Sequence, residues 1–179
     1  MTEPDYVLTG ERVALGPLRL DLADTYRRWV HEARTDLITP AIYALEAEED
    51  WVRSAIAKNA SLQPEQANFT VHDLSDGAPI GTTGLTDINW RFARATFGIV
   101  LGERRDQGLG TEATRLTLDW AFDVLGLHNV MLGAIPGNAR AIRAYEKAGF
   151  KHLGVRRSAV LARGERSDEV LMDAVREDR

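Results

Sequence analysis

Phe97-Gly98-Ile99-Val100-Leu101-Gly102-Glu103-Arg104-Arg105-Asp106-Gln107-Gly108-Leu109-Gly110-Thr111 carries a β-rich stretch through a basic, glycine-bearing turn into a helical one. Upstream, Ala95 to Leu101 reads as a strand. Downstream, Ala113, Leu116, Trp120, Ala121 and Val124 fall three or four residues apart, which makes one apolar face of a helix over Thr111 to Leu125, with Gly126 as its stop. Glycines let the backbone approach a ligand closely, and the first N–H groups of a helix have no internal partners. Together with the helix dipole they attract an anion, and phosphate is the natural one. Arg104 and Arg105 suit that reading because guanidinium groups pair well with phosphates. A plain tight turn carrying solvated arginines fits the local chemistry too.

Working outward, the segments before this stretch read as strands, Asn68 to His72 and Ile80 to Ile88, broken at Ser75-Asp76-Gly77 and around Trp90 to Ala93. This is an antiparallel meander. Nearer the N-terminus, a short strand around Arg12 to Leu15 leads to a helix capped near Asp21 or Asp24, with Leu22, Tyr26, Trp29 and Val30 turned inward. A second helix is expected from Glu48 to about Ala60, with Trp51, Val52, Ala55 and Ile56 at helical spacing. After the long helix come a buried strand, Val130 to Ile135, and a helix capped by Asn138 and terminated by Gly149. Phe150 to Leu161 and Asp168 to Val175 then form a hairpin around Arg163-Gly164-Glu165. Antiparallel strands followed by strand-helix-strand-helix predict an α+β, or mixed α/β, layered fold.

The composition narrows the function. With 179 residues, 44% hydrophobic and 27% charged, the chain fits one folded domain over residues 1–179. The net charge of -5 argues against a nucleic-acid-binding face, so any polyanion bound is small. No stretch approaches a membrane span, Met1 to Gly10 lacks the pattern of a signal peptide, and a cytoplasmic protein without a membrane partner is expected. Absence of cysteine removes disulfides, thiolate metal sites and cysteine nucleophiles. His31, His72, His128 and His152 show no ligand spacing, so no metal is expected.

Gly108-Leu109-Gly110-Thr111-Glu112-Ala113 formally matches the dinucleotide pattern G-x-G-x-x-A, but the strand Val130 to Ile135 ends in Pro136-Gly137 with no acidic residue for a ribose. A Walker A loop is excluded because no Gly-Lys-Ser or Gly-Lys-Thr follows. What the segment resembles is the Q/R-x-x-G-x-G/A motif of GCN5-related N-acetyltransferases, in Arg105-Asp106-Gln107-Gly108-Leu109-Gly110. Asn138 to Phe150, Asn-Ala-Arg-Ala-Ile-Arg-Ala-Tyr-Glu-Lys-Ala-Gly-Phe, is similar to that family's second motif. Gly110 to Ala113 and Tyr145 to Phe150 resemble in particular the branch that acetylates ribosomal-protein N-termini and related small amines.

The resemblance implies the GNAT fold, a central, mostly antiparallel sheet splayed between the fourth and fifth strands and flanked by helices. It implies acetyl-CoA as cosubstrate, with Gln107, Gly108, Leu109, Gly110 and Thr111 offering N–H groups to the pyrophosphate and Arg104 or Arg105 nearby. Ile99, Val100 and Leu101 would diverge from Val130 to Ile135, and the pantetheine arm would lie in the gap like an extra half-strand. Asn138 would contact the arm or cap its helix. Tyr145, on the inward face with Ala141, Ile142 and Ala148, would protonate the departing thiolate. An N–H near Ile99 would meet the oxyanion, and without cysteine direct attack by the amine is favoured. Asp87 and Glu103 are candidate bases, with a water chain as the alternative. The implied activity is N-acetylation of a primary amine on a small molecule or a protein N-terminus. A different acyl-CoA, a carrier-protein-bound acyl donor and a non-catalytic acyl-CoA-binding module remain alternatives, and a homodimer is left open.

Overall fold

The computed structural model describes residues 5–36, 44–162 and 164–178, the side chains of 33–36 and 162 excepted. Eight strands form one sheet: β1 (Leu8–Thr9), β2 (Val13–Pro17), β3 (Ala67–Asp73), β4 (Pro79–Asn89), β5 (Arg94–Leu101), β6 (Asn129–Ala134), β7 (Lys151–Ala162) and β8 (Glu165–Val175). Their spatial order is β1-β2-β3-β4-β5-β6-β8-β7, antiparallel throughout except for β5 and β6. Among the described residues four α-helices accompany the sheet: α1 (Ala23–Asp36), α2 (Leu45–Asn59), α3 (Leu109–Asp119) and α4 (Ala139–Ala148). The expected meander, hairpin and helices are all present. β1 is an addition, so the splayed pair is fifth and sixth in chain order; Arg163, in the expected hairpin turn, lies outside the described residues.

Two apolar layers follow from strand alternation. One face of the sheet packs Phe69, Val71, Leu85, Phe97, Val130 and Leu132 against Leu109, Ala113 and Leu118 of α3 and Ala121 just after it. The opposite face carries a smaller cluster, in which Tyr26 and Trp29 of α1 meet Val52 and Ala55 of α2 with Val100 of β5 beside them. Trp29 stacks so closely on Gly102 that a Cβ there would lie 2.0 Å from its ring. Any side chain at 102 would therefore displace the indole.

Helix faces were less legible at the surface. On α2, Val52 and Ala55 are buried, but Trp51 and Ile56, expected beside them, are 42% and 40% exposed. The long helix widens into a π-type turn at Trp120–Val124, and the changed rotation leaves Val124 exposed while Trp120 meets Phe69 edge-on at 5.0 Å.

Candidate active site

The feature that organises the site is an early end to strand pairing. β5 and β6 pair in parallel only at Arg94↔Asn129, Ala95↔Val130 and Thr96↔Met131, whereas β5 stays paired with β4 as far as Leu101 and β6 with β8 as far as Ala134. Beyond Thr96 the two strands part, and the facing backbone edges of Ile99–Leu101 and of β6 are left without a strand neighbour. Backbone groups freed this way need another partner, and an extended ligand satisfies them as a strand would. A cavity of about 840 Å³ opens here, within the range of small-ligand sites. Ile99, Val100 and Leu101 form one wall, Gly108, Gly110, Thr111 and Thr114 another, and α4 the third, with Asn138 and Tyr145.

Gly108 makes the turn into α3. Its φ of 82° lies in the left-handed region that glycine adopts without strain, and it contributes no side-chain cap, so the first turn of the helix faces the cavity with its backbone. Gln107 donates nothing to the cavity through its side chain: it is exposed outside the lining, and its carbonyl accepts from Arg12 Nη1 at 2.8 Å. Leu109 is likewise outside the lining, buried in the core at 1% exposure. Asn138 caps α4, its Oδ1 accepting from the Ala141 N–H at 3.2 Å, while still bordering the cavity.

The two neighbouring arginines part company. Arg105 lines the cavity and donates Nε to the Leu101 carbonyl at 2.9 Å. Arg104 does not line it. Its φ of 51° turns the side chain to the β3–β4 turn, where the guanidinium bonds Asp73 at 2.5 Å, Ser75 at 3.2 Å and both oxygens of Asp76. Expectation of a phosphate contact from Arg104 is therefore corrected, because two carboxylates already occupy its donors. Hydrogen bonds from Ser75 and Arg104 hold the Asp73 carboxyl down at about 2.

Sequence reasoning missed the charges on α4. Arg140, Arg143 and Lys147 border the cavity with Arg105, against one acid, Asp106, which Arg140 pairs at 3.1 Å. Residues 140, 143 and 147 recur at helical spacing, a pattern that would have placed them on one face. Their predominance gives the mouth a positive potential in a chain of net charge -5.

Tyr145, half-buried, lines the same cavity. Its ring meets Phe97 and Phe150 at 6.0 Å each in edge-type contacts, and no residue hydrogen-bonds its hydroxyl among those described. Burial pushes the phenol above its ordinary value of 10, since the phenolate would lose its hydration. Asp87 lies elsewhere: it is exposed, with φ 51°, at a bulge near the opposite end of β4 from the cavity wall, and accepts from Thr86 Oγ1 at 3.3 Å. Glu103 also lies outside the lining, where Trp29 Nε1 donates to it at 3.2 Å. No group of three or more metal-ligating side chains exists among the described residues. No helix among them is long and apolar enough to cross a membrane.

Solved structures share this architecture. An acetyltransferase of the GNAT family from Bacillus anthracis superposes with a TM-score of 0.80, covering 95% of this chain and 98% of that one at 17% identity. Spermidine N-acetyltransferase from Vibrio cholerae, solved with CoA and spermine, gives a TM-score of 0.84 over 94% and 98% of the two chains at 20% identity. The fold is thus the one these solved acetyltransferases share. The acetyltransferase (GNAT) domain pattern matches residues 12–151, and the chain belongs to that family. Probable N-acetyltransferase YjcK of Bacillus subtilis is 34% identical over 116 residues, and spermidine N(1)-acetyltransferase of Escherichia coli strain K12 is 38% identical over 76. These matches span 64% and 41% of the relatives' own lengths, and 64% and 42% of this chain.

Proposed function

We propose that the chain is an acetyl-CoA-dependent N-acetyltransferase acting on a small cationic amine. One observation carries the reading: strand pairing that stops at Thr96↔Met131 beside a cavity with a basic mouth and a half-buried phenol. Acetyl-CoA would supply an acetyl carbonyl activated as a thioester. Within this reading, the first turn of α3 and Arg105, Arg140 and Arg143 bind phosphate groups, and the free edge of Ile99–Leu101 orients the arm between them. The Ile99 N–H is the donor for the carbonyl oxygen. Tyr145 Oη holds a proton that it can give to a leaving sulfur, and its raised pKa keeps that proton in place at neutral pH. Asp87 and Glu103 are both outside the cavity lining, so we assign removal of the amine proton to water in the open cleft.

The polyamine class of acceptor is supported by the spermidine acetyltransferases among the relatives and by the negative net charge. The ribosomal-protein N-terminal branch is the second reading, supported by the motif residues Gly110 to Ala113 and Tyr145 to Phe150 that resemble it. For the donor, the cluster of cations at the mouth favours the nucleotide end of CoA over a carrier protein, which lacks it. Amine-stimulated release of free CoA, measured over polyamines, peptide N-termini and acetyl, longer acyl and carrier-bound donors, tests all of these. Release without an amine preference refutes the acceptor assignment, and binding without release leaves a non-catalytic module. Light scattering reads whether the protein is a homodimer.

A further inference from the structure

The sheet face turned away from α3 and α4 has its own feature at the level of the split. Strand alternation places Thr96 and Gly98 of β5, Met131 and Gly133 of β6, and Glu169 and Leu171 of β8 on this face. Gly98 and Gly133 each lie two residues beyond the last β5–β6 pair, so glycine stands opposite glycine across the opening. A Cβ on Gly98 would meet nothing within 4 Å, whereas one on Gly133 would lie 2.2 Å from Glu169 Oε1. The Glu169 carboxylate therefore lies flat over β6 at the brink of the opening, in space that only the absent side chain leaves.

Its other oxygen is short of a donor. Oε2 is buried and makes no hydrogen bond; Arg156 Nε, cross-strand on β7, is 3.3 Å away but out of hydrogen-bond geometry, on a side chain 63% exposed. Two other acids of β8 are engaged: Asp173 accepts from Asn129 at 2.7 Å and Asp168 from the Ser158 N–H at 2.8 Å. A buried carboxylate oxygen without a donor is costly, and an exposed arginine at this distance compensates weakly. At the far end of the same face, Asn68, in register with Gly84 and through it with Gly98, holds the second buried polar atom without a hydrogen bond among the described residues.

We infer that Glu169 recognises an ammonium group of the acceptor as it lies over the glycine-floored opening, making Glu169 the residue that selects cationic amines. An ammonium gives Oε2 a charged donor in hydrogen-bond geometry, and Arg156, already exposed and only ion-paired to it, swings away to water. The identity of the cation as an acceptor rests on the acetyltransferase reading above; the binding itself does not.

Calorimetric titration of spermidine into the CoA-loaded protein tests this, with Glu169→Gln, which keeps the shape, and Gly133→Ala, which displaces the carboxylate without removing it. Both variants should bind spermidine at least tenfold more weakly, with CoA affinity within twofold of the parent and the KM for spermidine raised in parallel. Equal affinity in Glu169→Gln, or no spermidine binding by the parent protein at millimolar concentration, overturns the inference. Glu169-dependent binding without any CoA release supports it and instead refutes the acetyltransfer reading.

Discussion

Tyr145→Phe removes one oxygen and nothing else that the structure uses for packing. The ring keeps its contacts with Phe97 and Phe150, both at 6.0 Å, and no protein hydrogen bond is lost among the described residues. Stability should therefore change by no more than about 0.5 kcal/mol, as for substitutions that create neither cavity nor unpaired group. Turnover is another matter. Loss of a positioned general acid costs about 10²-fold or more, and 10²-fold corresponds to about 2.7 kcal/mol of barrier. Steady-state CoA release at saturating substrates gives the rate, calorimetry the CoA affinity and thermal melts the stability. Burial raises the phenol pKa, so the proton is retained through neutral and mildly alkaline pH, and Tyr145 imposes no fall in kcat below about pH 10. The linked stability has the same sign: it is intact below the unfolded value of 10 and lost as pH rises through the higher folded one. A variant that turns over within threefold of the parent, or loses CoA affinity in proportion to rate, refutes the assignment.

Three further outcomes are expected. Arg104→Ala should lower the melting temperature while leaving CoA affinity within twofold, because its partners are Asp73 and Asp76; a large loss of CoA affinity contradicts that placement. The depressed Asp73 carboxyl makes its contribution complete above about pH 4 and lost as pH falls toward 2, so acid melts of parent and Arg104→Ala should converge in that window. Replacing Arg140 and Arg143 together with alanine should weaken CoA at least tenfold and flatten the salt dependence of binding, and an unchanged salt slope would remove them from the phosphate site. Gly110→Ala should stabilise the ligand-free protein by up to about 1 kcal/mol through helix propensity, its Cβ lying an ordinary 3.6 Å from Leu101, yet weaken CoA by narrowing the cavity; tighter binding would contradict that.

What was legible in the sequence was whatever short-range pattern decides. Alternation set β3, β4 and β5 to within a residue, and the Asn138 cap and Gly149, at φ 112°, bounded α4. The turn from Leu101 to Gly108 was legible as a glycine-bearing entry to a helix because glycines and a helix start are local features. Arg104 and Arg105 were indistinguishable there, since what separates them is Asp73 and Asp76 across another turn. Asp87 looked like a carboxylate at a strand end, and only the bulge at that end of β4, away from the cavity, takes it out of reach. Trp51 and Ile56 followed the helical period but α1 covers only part of that face. Glu169 has no motif of its own; its role depends on a glycine 36 residues earlier in the chain, on a neighbouring strand.

Hydrogen exchange across the split, with and without acetyl-CoA, reaches the central claim most directly, because the amides of Ile99 and Leu101, which point away from β4 toward the split, are the ones a bound pantetheine arm would cover. Peptides spanning Phe97–Leu101 and Gly108–Thr114 should become markedly protected while those of β3 and β7 stay unchanged. Protection confined to other segments, or none at saturating acetyl-CoA, would show that the parted strands are not where the cosubstrate lies.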